Sequence, residues 1–402
     1  MPSDTLSFSQ MIKTDPDSVY RAFTNATALR GWLCNVATAV PRPGGRLYMW
    51  WESGFYTSGE FKSVEPGKKV VFTWSGKRDP SPTEVEVTFS PREEGTLVKV
   101  DHKGLGRSAQ WESIRSEIKK GWENALTNLN SVITTGKDLR FVNRPMLGII
   151  VDDLNEEIAE QLGLPSAQGI RLGGTVAGMG AEAAGLQEND VLISMGGMPT
   201  VDFENLNQAL NTHKAGDTIE VIFFRDGKQE NVHMTLSGRP IPEIPATAKG
   251  LADAVAKIYQ GIETELDKFL SEVSEEEASF KPAPGEWSIK GVLAHFIHGE
   301  RGYQEYMAEL VGGHERFADD YAGNIDEYIE ATITAFSSVD ALFNEYKLNM
   351  SETLHFLANL PDKFVAQKGE YWRLAYGLLQ DPYHFNTHLE QMQSALEAAR
   401  MK

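Results

Sequence analysis

The hydrophobic period of this chain changes once, and that change limits its fold more than any other feature. Up to about residue 238, apolar residues mostly alternate, as strands require; from 247 to 402 they return every three or four positions, as helices require. The stretch between, Gly238-Arg239-Pro240-Ile241-Pro242-Glu243-Ile244-Pro245, has three prolines in six residues and reads as a semi-rigid spacer. One continuous sheet or one helical bundle is thereby excluded. A weaker break falls at Thr134-Thr135-Gly136-Lys137, and the length of 402 residues leads us to expect two to four domains.

Charge is distributed unevenly. The chain carries 38 Lys and Arg against 57 Asp and Glu, a net of −19, and all of the acidic excess lies after residue 140, the first 140 residues being slightly basic. An acidic body repels phosphate backbones, so nucleic acid is not expected as a partner. Cys34 is the sole cysteine, so neither an intrachain disulfide framework nor a multi-cysteine zinc site can be built. No run of about 18 apolar residues is present, and MPSDTLSFSQ lacks the basic and apolar regions of a signal peptide. The expectation is a cytoplasmic protein without a membrane span.

Residues 1–137 read as a strand, LSFSQMIKT, then a helix over DPDSVYRAFTNATALRGWL with Asp15 as N-cap. A meander of strands and a long helix, SIRSEIKKGWENALTNLNSVI, follow. Leu29-Arg30-Gly31-Trp32, Pro43-Gly44-Gly45, Val70-Val71-Phe72-Thr73-Trp74, Glu94-Gly95-Thr96 and Gly121-Trp122 make this segment resemble the START-like (SRPBCC) superfamily, in the branch homologous to the activator of a heat-shock-protein ATPase. The resemblance implies a helix-grip antiparallel sheet closed by a long C-terminal helix around an apolar cavity. Trp50, Trp51, Phe55, Tyr56, Phe61, Phe72 and Trp74 are expected to line it and to take a small apolar ligand. The competing reading is that these aromatics pack a core.

Residues 143–239 contain strand runs around a short helix at Glu182–Gly185 and a longer one at Phe203–His213. Gly185-Leu186-Gln187, Asp190-Val191-Leu192 and the turn Arg225-Asp226-Gly227-Lys228 make the segment resemble a PDZ domain of the bacterial protease-associated kind, a β-sandwich or partly open barrel. Met146-Leu147-Gly148-Ile149 matches the family's carboxylate-binding loop. There a glycine lets consecutive N–H groups face one concavity. A peptide or protein C-terminus would add as a strand beside Ile149, facing the helix that holds Leu206 and Leu210. No Gly-Asp-Ser-Gly nucleophile loop accompanies it. The other reading is a PDZ fold used only as a spacer.

Residues 247–402 read as an all-α four-helix bundle. Six of the nine histidines lie here. His384 and His388 stand at i and i+4, which puts their Cβ atoms about 6 Å apart on one helix face. Two imidazoles so placed can bind one ion at about 2 Å each. Pro284, Trp287-Ser288, His295 and His384-x-x-x-His388-x-x-Gln391 resemble the DinB-like (YfiT-like) metal-binding bundles. That resemblance implies a His295, His384, His388 triad holding a divalent metal, zinc or nickel. Two positions depart from the pattern: Thr387 stands where a second His is usual, and Leu389-Glu390 where Arg-Gly is common. Glu300 and Glu390 are candidate bases or outer partners of the ligands.

The whole chain is expected to be a multidomain α+β protein. It would combine an apolar-ligand module, a peptide-binding module and a metal site, with a metal-dependent, thiol-linked transferase or hydrolase activity as one form. A non-catalytic scaffold or adaptor, or a co-chaperone-like regulator in a stress response, is the alternative.

Overall fold

The computed structural model describes residues 4–316, 325–380 and 383–401. Two compact units emerge: Met1–Lys137 together with Pro242–Lys402, and Asp138–Ile241.

The first segment opens with β1 (Leu6–Ile12). Asp15 then caps a helix, its carboxylate accepting from Ser18 N–H, with Pro16 preset for the first turn. The expected single helix is in fact two, α1 (Pro16–Thr24) and α2 (Ala26–Trp32). Asn25 makes the break. Its backbone is extended, it ends α1, and its side-chain oxygen accepts from Ala28 N–H to start α2. Then come β2 (Val36–Ala39), β3 (Arg46–Trp50), β4 (Tyr56–Glu65), β5 (Lys69–Gly76), β6 (Thr83–Arg92), β7 (Gly95–Lys103) and α3 (Ala109–Thr135). The strands form one antiparallel sheet in the order β1-β7-β6-β5-β4-β3-β2. Alternation decides what points inward. Val85, Val87 and Phe89 of β6 and Val98, Val100 and His102 of β7 share the face covered by α1, α2 and α3. Trp122, Leu126, Leu129 and Val132 are the buried stripe of α3.

Unit two comprises α4 (Leu139–Val142), β8 (Ile149–Asp152), α5 (Glu156–Gln161), β9 (Ile170–Thr175), α6 (Gly180–Ala183), β10 (Val191–Met195), β11 (Met198–Pro199), α7 (Phe203–Leu210), β12 (Thr218–Arg225) and β13 (Lys228–Thr235). Its sheet is open, in the order β13-β12-β10-β9-β8, with β11 on β10. The two sequence motifs singled out above turn out to hold each other. Arg225 grips Asp190 through Nε (2.7 Å) and Nη2 (2.6 Å), and Asp190 also accepts from Gln187 N–H. Asp190 is 1% exposed, so its charge depends on that two-point grip.

The last segment contains α8 (Ala248–Leu270), α9 (Glu275–Ser279), α10 (Ile289–Gly312), α11 (Asp326–Ala335), α12 (Val339–Ala358), α13 (Asp362–Val365), α14 (Lys368–Leu378) and α15 (Tyr383–Arg400). Helices α11 and α12 are separate, because Ser338 caps α12 by accepting from Ala341 N–H. Long helices α8, α10, α12 and α15 share one core with Leu251, Val255, Leu293, Ile297, Leu342 and Met392 at its centre. No described helix is long and apolar enough to cross a membrane.

Candidate metal centre

Two helices build the site. Ser288 caps α10 by accepting from Gly291 N–H, and His295 follows two turns later, 8% exposed. His384 and His388 come from the first turns of α15. Their ring nitrogens converge. His384 Nε2 lies 3.2 Å from His295 Nε2 and 3.1 Å from His388 Nε2, and one donor atom from each of the three lies within 4.8 Å of the others. Two nitrogens bound tetrahedrally to one ion at about 2 Å are roughly 3.3 Å apart. Both spacings from His384 match that demand, and the third donor pair lies within 4.8 Å.

Proton counting leads the same way. A neutral imidazole nitrogen either carries a hydrogen or offers a lone pair. His388 Nδ1 lies 2.8 Å from Gln391 Oε1, an acceptor, so that nitrogen carries the hydrogen and Nε2 keeps its lone pair. His384 Nε2 then has one hydrogen at most to share between two neighbours. A cation satisfies all three lone pairs at once. Burial, with the neighbouring His388 second, lowers the pKa of His384 and favours the neutral, ligating form.

Aromatic rings wall the site. Trp287 lies over His295, with ring centroids 5.0 Å apart, and stacks on His388 at 6.2 Å; Phe296 meets His388 edge-on at 5.6 Å. These rings exclude water on one side, while His384 is exposed on the other.

Glu300, His298 and His355 have partners of their own. Glu300 is withdrawn from the triad: it accepts from Tyr259 Oη (2.8 Å) and Thr353 Oγ1 (2.8 Å), and burial raises its pKa. Glu390 is exposed. His298 bonds Thr332 (2.7 Å) and stacks on Tyr328, so it serves the contact of α10 with α11. His355 is exposed and bonds Ser351 O.

In the first segment, Phe61, Phe72 and Trp74 are buried on the concave face, with Trp51 and Phe55 packed against it. Trp50 and Tyr56 fall outside that cluster. Tyr56 is 39% exposed and pairs with Tyr48, because neighbouring residues of a strand face opposite sides. His102 was not singled out by the sequence. It is wholly buried beside Trp74, receives a hydrogen bond at Nδ1 from Trp122 Nε1 (3.2 Å) and donates from Nε2 to Thr83 Oγ1 (2.8 Å). Burial lowers its pKa to about 4.

In unit two, β8 is an edge strand, and Ile150 and Val151 stand 47% and 46% exposed. Met146 pairs with Ser237, Leu147 is buried, Ile149 packs against the core, and Gly148 has φ +77°. A Cβ at Gly148 would stand 2.2 Å from Met179 Cβ, so only glycine closes this loop. On α7, Leu206 is buried and Leu210 packs beside it.

Comparison with known proteins gives three family matches. Residues 13–134 match the activator of Hsp90 ATPase homolog 1-like protein family, 145–236 the PDZ domain family, and 259–392 the DinB superfamily. Among curated proteins, a probable periplasmic serine endoprotease DegP-like of Marinomonas sp. is 30% identical over 147 residues, 37% of this chain and 30% of that one. A serine protease Do-like HtrA of Lactococcus lactis subsp. cremoris is 34% identical over 114 residues, 27% of each chain. This chain thus spans less than a third of the length of either relative. Similar solved structures include a Mesorhizobium loti protein (23% identity, 32% of this chain, 96% of that chain, TM-score 0.30). The solution structure of the Aha1 dimer from Colwellia psychrerythraea is another (19% identity, 32% of this chain, 94% of that chain, TM-score 0.29). In order along the chain stand a segment of the Hsp90-ATPase-activator homology family, a PDZ domain and a DinB-superfamily segment.

Proposed function

We propose that the chain is a multi-module binding protein whose bundle holds one divalent metal, zinc or nickel, on His295, His384 and His388. The convergence of three Nε2 atoms supports this reading. A bound metal would supply Lewis acidity and a place for a soft or anionic guest such as a thiolate. The chain's own residues orient the imidazoles, keep one side dry with Trp287 and Phe296, and leave the His384 side accessible. Glu300 is committed to Tyr259 and Thr353, which favours binding over a transferase or hydrolase reaction. Metal analysis of purified, untagged protein by mass spectrometry tests the reading. About one ion per chain is expected, and none in the triple His→Ala variant. Equal metal in both proteins overturns it.

A second reading concerns unit two, and the edge strand supports it. Strand β8, the Gly148 loop and α7 would take up a peptide or protein C-terminus by strand addition. Peptides with free carboxyl ends should bind the full chain, and those with amidated ends should bind at least tenfold more weakly, about 1.4 kcal/mol. Equal binding of both removes the carboxylate loop from the reading. For the first segment, a small apolar ligand bearing a hydrogen-bond acceptor is supported by two buried atoms on the concave face without a partner, Trp74 Nε1 and Thr57 Oγ1. The cytoplasm is the compartment proposed, and cell fractionation tests it. The adaptor and co-chaperone-like readings need no reaction and share the same modules.

A further inference from the structure

The first and last segments belong to one compact unit although about a hundred residues separate them in the chain. Their contact is built from oriented polar groups. Arg21 Nη1 meets Glu370 Oε1 at 2.5 Å, and the Glu370 side chain is 7% exposed. Glu315, its side chain 3% exposed, shares Oε1 between Arg30 of α2 (3.2 Å) and Arg373 of α14 (2.5 Å). Glu315 N–H donates to Thr27 Oγ1 (3.0 Å), Asn25 Nδ2 to Gly313 O (3.1 Å) and Lys368 Nζ to Thr134 O (2.7 Å). The approach is also close sterically. A Cβ at Gly136 would lie 2.6 Å from Lys368 O, and one at Gly369 would lie 2.6 Å from Val132 Cγ1. Two carboxylates this deeply buried are tolerable only while their guanidinium partners stay in place.

Helix α14 also fixes the start and end of the excursion. Gly136 lies against Lys368 and Trp372 of α14, and Tyr371 Oη, on the same helix, donates to Pro245 O (2.9 Å) and Thr247 O (3.0 Å). We infer that the helix-grip segment and the four-helix bundle are a single cooperative body, into which residues 138–241 are inserted as a separate domain. The partner that covers the α1–α2 face and the C-terminal end of α3 is the bundle of this same chain. This inference does not depend on the metal or the peptide reading.

The test starts from the full, folded chain with specific protease sites placed at 137/138 and 241/242. After complete cutting, the 1–137 and 242–402 pieces should co-elute from gel filtration in high salt. Elution as separate species overturns the inference. A second measurement uses the uncut chain and needs no fragment to survive. Thr27→Val keeps shape but removes the acceptor for Glu315 N–H, so hydrogen-exchange protection at residues 313–316 should fall about tenfold, although the substitution lies in the other segment. Unchanged protection there would overturn the inference as well.

Discussion

His102 and His295 are both nearly sealed from solvent, at 0% and 8% exposure, yet their surroundings differ in kind. Both nitrogens of His102 are spoken for, one by Trp122 and one by Thr83, and every proton has a place. At His295 three ring nitrogens crowd together with too few protons to join them. A buried histidine with a closed hydrogen-bond account is part of the scaffold. One whose ring nitrogen converges with two others is, in our proposal, a ligand for a cation.

The largest expected effect separates the two directly. His295→Ala should weaken metal binding on the order of a hundredfold or more by titration calorimetry, whereas His102→Gln should leave metal affinity within about twofold. Loss of affinity in both would break the contrast.

The next effect concerns pH. The folded pKa of His102, about 4, lies below the ordinary value of 6.5. Between those values the unfolded chain binds the extra proton, so stability is complete above about pH 6.5 and falls as pH drops toward 4, by roughly 3 kcal/mol in all. Denaturant midpoints measured across this window should slope for the parent chain and flatten in His102→Gln. An equal slope in the variant would move the effect to other groups.

Thr83→Val should cost about 2 kcal/mol, because it leaves the His102 Nε2–H buried without an acceptor. Thermal unfolding measures that cost, and metal content should not change. The smallest effect sharpens the other half of the comparison: Gln391→Leu should weaken metal binding about tenfold without abolishing it, since only the orientation of His388 is loosened.

How much of this was legible varied with distance along the chain. The His384–His388 pair was readable because i, i+4 spacing on a helix forces proximity, and the third ligand entered through a family likeness. Local periodicity also carried the sheet, the long helices and the proline spacer. Trp50 ends β3 and Tyr56 begins β4, and alternation turns these end residues away from the face on which Trp51 and Phe55, just beyond the strands, pack, a distinction the expected seven-residue cavity lining does not make. Asn25 gave no sharp warning, since the apolar residues keep helical spacing across it and neither Gly nor Pro marks the break. The bond from Trp122 to His102 and the triad of Arg30, Glu315 and Arg373 had no readable signature at all. Such contacts are fixed by tertiary packing, and nothing in the residue types announces which carboxylate will be buried with which guanidinium.

The bare rim of β8 has a cost that any user of this protein will meet. Strand rims in soluble proteins are commonly blunted by a lysine, a proline or a bulge that keeps strangers from pairing. Strand β8 carries one such irregularity, a register shift against β9 between Ile150 and Val151, yet both of these side chains stand open to solvent on that rim. As the protein is concentrated, neighbouring copies should begin to zip together along this line, and a short peptide seated there should keep the solution clear.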